Sequence, residues 1–247
     1  MPSYTKRQVP LGLGEQAARA PEAVALAAPH RRPLTFRGLV DQIQSAGEDL
    51  RDAGVCAGTA TALALTQGPT AVTAALAIMT GSACAPLDLN LTEREYQDYL
   101  SRLRPAALVW DEASNPVAAQ AARELGIGVI GLRVPRDGAA GVFEIAGVSA
   151  AVKDLDVRQT DKAMILQTSA TTGVPKLVPR SHAALLTLAR DNAGVLELSA
   201  ADRYLNLLEH VSHISWRTCV ADQSSDHSGR MAGSEWPDHS RGIRGAV

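Results

Sequence analysis

Between residues 59 and 132, short apolar runs alternate with longer stretches of helical period, and this alternation limits the possible folds more than any other feature. "TATALAL" (59–65), "CAPLDL" (84–89), "AALVW" (106–110) and "IGVIGL" (127–132) are strand-length and apolar on both faces, the mark of strands buried from two sides. Between them lie a continuous apolar helix over 70–80, an amphipathic helix in "LTEREYQDYLSRL" and a third in "NPVAAQAARELG", stopped by Gly126. Strands separated by helices predict βαβ units around a parallel sheet flanked by helices. Ligands bind such sheets where the carboxyl ends of the strands meet the following loops.

The flanking segments extend the pattern. "GEQAARAPEAVAL" has small apolar residues at helical spacing, and "LTFRGLVDQIQSAGEDLRDAGV" places Phe36, Leu39, Val40, Ile43, Ala46, Gly47 and Leu50 on one helical face before Gly54. Thr92 with Glu95 three residues later forms a capping box. Residues 133–160, rich in glycine and mixed charge, read as a variable connection. The patterned chain divides into a partial domain over 1–210 and an unpatterned tail over 211–247, which reads as disordered or as the product of a frameshifted reading frame.

Composition excludes several function classes. A net charge of -2 and 4% aromatic residues give no electrostatic or stacking basis for binding nucleic acid. The most apolar stretch, residues 71–79, is too short to span a bilayer, and the amino terminus lacks a signal-peptide core, so no membrane partner is expected. Cys56, Cys84 and Cys219 are odd in number and widely spaced, which fits a reducing cytoplasm.

The densest chemistry lies in "QTSATTGVPK" (167–176), after the strand-like "AMILQ". Thr168, Ser169, Thr171 and Thr172 offer hydroxyls, Gly173 admits close backbone approach, and Lys176 supplies a charge. Ser181 caps a helix from about His182 to Leu196, with Leu185, Leu186, Leu188 and Ala189 as its apolar positions. A strand, a donor-rich loop and a lysine together suit a polyphosphate. It is not a Walker loop, because Val174 and Pro175 separate Gly173 from Lys176, and on composition alone a Thr/Ser-rich surface loop fits equally well.

The run "TSATTGVPKLVPRSH" resembles the signature loop of the adenylate-forming synthetases: acyl-CoA synthetases, nonribosomal peptide synthetase adenylation domains and their relatives. "APLDLNLTEREYQDYLSRLRPAALV" and "ADRYLNLL" resemble neighbouring family segments, so the likeness runs from about residue 10 to about 210. The resemblance implies the amino-terminal part of that family's large domain, with a second α/β layer beginning at the phosphate loop. It also implies ATP-dependent activation of a carboxylic acid to an acyl-adenylate, followed by transfer to the thiol of CoA or a carrier protein. Thr168, Ser169, Thr171, Thr172, Gly173 and Lys176 would hold the β- and γ-phosphates, with Mg²⁺ bridging them.

Two substitutions depart from the family loop: Ala170 and Leu177 stand where glycine is usual. The family's adenine- and ribose-binding segments, its hinge and its small carboxyl-terminal domain with the catalytic lysine have no counterpart here. The chain is therefore expected to be a truncated, catalytically incompetent ligase, with no catalytic residue to name; the alternative is a non-catalytic nucleotide-binding or interaction remnant. No G-x-G-x-x-G follows an early strand, which disfavours a dinucleotide-binding domain. His210, His213, His227, His239 and Cys219 are too sparsely spaced for a zinc site. His182 reads as helix-start packing, Asp88, Glu93 and Glu95 as a solvated helix entrance, and Arg31 with Arg32 as a surface pair.

Overall fold

The computed structural model describes residues 12–56, 58–111, 114, 116–148, 162–168, 175–199 and 202–203; the expected tail over 211–247 lies outside them. The first element, α1 (Leu13–Arg19), ends early, and Val24–Leu26 forms a strand, β1, paired antiparallel with β2 (Leu34–Thr35). The helix expected across "GEQAARAPEAVAL" breaks because Pro21 disfavours helical backbone at Ala20, which adopts φ -140°.

Helix α2 (Phe36–Asp52) starts at Thr35, whose hydroxyl accepts from the Gly38 N–H at 3.2 Å. It buries Leu39, Val40, Ile43, Ala46, Gly47 and Leu50, while Phe36 stays half-buried. Gly47 is a point of close approach: a Cβ there would lie 2.5 Å from Thr80 Oγ1, just past the end of α3. After β3 (Ala60–Ala64), Pro69 opens α3 (Pro69–Ile78) at a position that needs no N–H donor. Every residue of α3 from Ala71 to Ile78 is buried, which explains why it is apolar all round.

Next come β4 (Ala83–Pro86), α4 (Glu93–Leu103), β5 (Ala107–Asp111), α5 (Pro116–Glu124) and β6 (Gly128–Arg133). The capping box of α4 is present, with the Glu95 carboxylate accepting from both the N–H and the hydroxyl of Thr92. Within the expected variable connection, β7 (Glu144–Val148) folds back antiparallel on β6. The remaining elements are β8 (Lys162–Gln167), β9 (Leu177–Ser181) and α6 (His182–Val195).

Seven strands form one sheet in the order β7-β6-β5-β3-β4-β8-β9. From β6 to β8 every neighbour pair is parallel, as the alternation requires, and the two edge strands are antiparallel. The sheet is thus mixed. The expected second layer does not begin at the loop: β8 pairs directly with β4, so the loop-bearing hairpin continues the same sheet.

Alternation along the strands divides the core in two. Leu63, Cys84, Val109 and Ile130 face α2, α3 and Leu185 of α6, while Ala62, Ala85, Leu108 and Val129 face α4 and α5. Small residues dominate the second face, where Ala118, Ala119, Ala121 and Ala122 are fully buried and Tyr96 and Tyr99 supply the bulk.

Candidate functional site

Strand β8 ends at Gln167, and the chain re-enters the sheet as β9 at Leu177, opposite it. Beyond this last ladder pair, the Thr168 N–H donates to the Lys176 carbonyl at 3.0 Å. The Lys176 N–H in turn donates to Thr168 Oγ1 at 3.1 Å. These two bonds bring the first and last expected phosphate residues together at the carboxyl end of a strand inside the parallel run. Thr168 is half-buried and the Lys176 side chain is exposed. Ser169, Thr171, Thr172 and Gly173 lie outside the described residues, as does Ala170.

The region after Lys176 differs from the sequence reading. A five-residue strand, β9, stands between the lysine and the helix, and its last residue, Ser181, pairs with Lys162 at the amino end of β8. At about 3.3 Å per residue, Ser181, the cap of α6, is therefore about 16 Å from Lys176. The α6 amino terminus thus stands at the other end of β9 from Lys176. Ser181 does cap α6, accepting from the Ala184 N–H at 3.1 Å. The buried positions are Leu185, Ala189 and Ala193, with Leu186 and Leu188 half-buried. His182 is the half-buried first residue of this helix, at the far end from the loop.

Three further features were not legible in sequence, two of them beside the loop or the strand next to it. Arg102, on the last turn of α4, donates from its guanidinium to the Pro175 carbonyl at 2.6 Å. The segment after β4 is also ordered by its own bonds: Asp88 Oδ1 accepts from the Asn90 N–H at 2.8 Å, and the Tyr96 hydroxyl donates to the Asp88 carbonyl at 2.7 Å. Burial, reinforced by the Asp88 carboxylate, pushes the Tyr96 hydroxyl up to about 12. Finally, Arg31 and Arg32 are not a bare surface pair. Arg31 donates to the carbonyls of Pro135 and Arg136, and Arg32 to that of Asp137.

A cavity of about 260 Å³ opens elsewhere along the same sheet edge, beyond β3 and β5, where the direction of chain progression reverses. Arg31, Thr66, Gln67, Thr70 and Asp111 line it; of the expected phosphate residues that are described, neither Thr168 nor Lys176 does. Among the described residues, no three His, Cys, Asp or Glu side chains group as metal ligands. Cys84 is fully buried, and burial pushes its thiol far up, so it is not a ready nucleophile. No helix among the described residues is long and apolar enough to cross a membrane.

The hairpin thus places Thr168 and Lys176 together at the carboxyl end of β8, within a largely parallel α/β sheet. The match to the AMP-binding enzyme family spans residues 13–221, and the chain belongs to that family. The match passes residue 210, where the resemblance was expected to end. An acyl-CoA synthetase, ALT10, of Alternaria alternata is 28% identical over 216 residues, covering 74% of this chain and 38% of that protein. Oxalate–CoA ligase of Arabidopsis thaliana is 30% identical over 197 residues, covering 77% of this chain and 38% of the ligase. The fold is shared with O-succinylbenzoate coenzyme A synthetase of Bacillus subtilis in complex with AMP: TM-score 0.67, 22% identity, 86% of this chain and 52% of that one. The chain spans about half, or less, of the length of these relatives.

Proposed function

We propose that this chain supplies the phosphate-holding part of an ATP-dependent acid–thiol ligase. In the reaction, a carboxylate oxygen attacks the α-phosphorus of ATP. The bond from that phosphorus to the β-phosphate bridging oxygen breaks, and acyl-adenylate and pyrophosphate are formed. The thiol of CoA or of a carrier protein then displaces AMP. Thr168, Ser169, Thr171, Thr172 and Gly173 donate to the β- and γ-phosphate oxygens, and Lys176 neutralises charge on the departing pyrophosphate. Mg²⁺ would arrive with the nucleotide and would offset further phosphate charge, with the hydroxyls of Thr168, Ser169, Thr171 and Thr172 as the loop oxygens able to hold it.

The observation that carries this reading is the closure of Thr168 on Lys176 at the carboxyl end of β8, which holds both ends of the loop against the sheet. Preorganised donors of this kind act by position, without reorganising when charge develops. With its two ends held in this way, the loop is expected to bind pyrophosphate.

Calorimetric titration with magnesium pyrophosphate tests the loop directly. Lys176→Ala removes a charge-assisted contact of about 1.5–3 kcal/mol, so affinity should fall about ten- to a hundredfold. Unchanged affinity in this variant would refute the phosphate-clamp reading.

A further inference from the structure

The peptide unit joining Pro175 to Lys176 is held from both sides. Its carbonyl accepts from Arg102 at 2.6 Å, and its N–H donates to Thr168 Oγ1 at 3.1 Å. Because a peptide unit is planar, bonds at its two polar atoms fix the plane as a whole, and with it the direction in which Lys176 leaves the loop. Proline has no N–H, so the carbonyl is the only backbone group Pro175 has to bond.

Arg102 is well placed for this. It projects from the last turn of α4, whose Tyr96, Tyr99, Leu100 and Leu103 are buried in the helical layer. Its Nε lies 3.4 Å from the Asp98 carbonyl and 3.8 Å from the Asp98 carboxylate, so the guanidinium is braced by its own helix before it reaches the loop. The side chain is 31% exposed, screening it partly from solvent. The contact joins residues 73 apart in sequence.

We propose that Arg102 is a positioning residue for the phosphate site, acting through the Pro175–Lys176 peptide to aim the Lys176 ammonium at pyrophosphate. The proposal rests on the clamp reading of the loop. It gives Arg102 no contact with the phosphate, so its whole contribution passes through the lysine.

A double-mutant cycle on pyrophosphate affinity, measured by calorimetry on this chain, tests it. Arg102→Ala should weaken binding about fivefold to tenfold, less than loss of the lysine itself, because it acts only through the lysine's placement. Arg102→Lys, which keeps a charge and a donor but not the planar fork, should recover part of the loss. In a Lys176→Ala background, Arg102→Ala should cost nothing further, because the group it aims is gone. An additive loss would overturn the proposal, since it assigns Arg102 either a direct phosphate contact or a general structural role. If Lys176→Ala weakens binding and Arg102→Ala does not, this inference alone falls. If wild-type protein binds no pyrophosphate, or Lys176→Ala is without effect, the clamp reading falls and this inference with it.

Discussion

Tyr96 and Tyr99 lie three residues apart on α4, and both are buried, at 0% and 1% exposure. Their hydroxyls have opposite situations. Tyr96 donates to the Asp88 carbonyl at 2.7 Å, whereas the Tyr99 hydroxyl is buried without a hydrogen-bond partner among the described residues. Replacing either by phenylalanine leaves ring packing nearly intact and removes only the oxygen. For Tyr96→Phe the change deletes a hydrogen bond of about 1 kcal/mol and orphans the Asp88 carbonyl. For Tyr99→Phe it deletes an unpaired buried polar group, whose desolvation costs about 1–3 kcal/mol. The first variant should therefore lose about 1 kcal/mol and the second gain about 1 kcal/mol or more. At about 2–4 °C per kcal/mol for a domain of this size, the two melting temperatures should separate by at least about 4 °C, with wild type between them. Urea unfolding followed by circular dichroism, with thermal melts in parallel, makes the comparison. Equal destabilisation by both variants would refute the reasoning, because it would mean that the Tyr99 hydroxyl has a partner in solution.

The same two tyrosines set the alkaline limit. Burial first, then the Asp88 charge, raises Tyr96 to about 12, and Tyr99 is raised by its burial. The native state therefore holds these protons more tightly than the unfolded chain, whose tyrosines titrate near 10. Stability from this source should be complete below about pH 10 and decline as pH rises towards 12; Tyr96→Phe should flatten that decline in urea midpoints measured against pH. A second prediction concerns Gly141, which adopts φ 87° and where a Cβ would sit 2.5 Å from Thr73 Oγ1 and 3.3 Å from the Pro69 carbonyl oxygen. Gly141→Ala should cost about 2–3 kcal/mol through left-handed strain and overpacking, read as a lowered urea midpoint; a loss under about 0.5 kcal/mol would show that the neighbours yield.

Local order was written in the sequence because its causes are local. The three- to four-residue rhythm of α2, the Thr92–Glu95 box, the Ser181 cap and the apolar runs of β3, β5 and β6 each depend on residues within one or two turns or on alternate positions. Buried parallel strands flanked by helices followed from those runs, since a strand apolar on both faces requires cover on both. The loop from Thr168 to Lys176 was legible for the same reason: its chemistry is concentrated in one short stretch.

What tertiary structure decided were the pairings between distant segments. Edge strands β7 and β9 carry weak apolar patterns, because an edge strand is stabilised by the neighbour it finds more than by its own composition. Once β9 pairs with β8, α6 is carried to the opposite end of the sheet and the loop keeps a lysine without a helix terminus. Nothing around Arg102 in sequence marks it, for its partner is 73 residues away and is a backbone carbonyl, which every residue possesses. The sequence by itself determined the central helices and strands and gathered hydroxyls and a lysine into one short stretch; only the folded sheet decided which strand lies beside which, and hence which arginine bonds the Pro175 carbonyl. Periodicity records the faces a segment must bury, but not the distant partner that buries them.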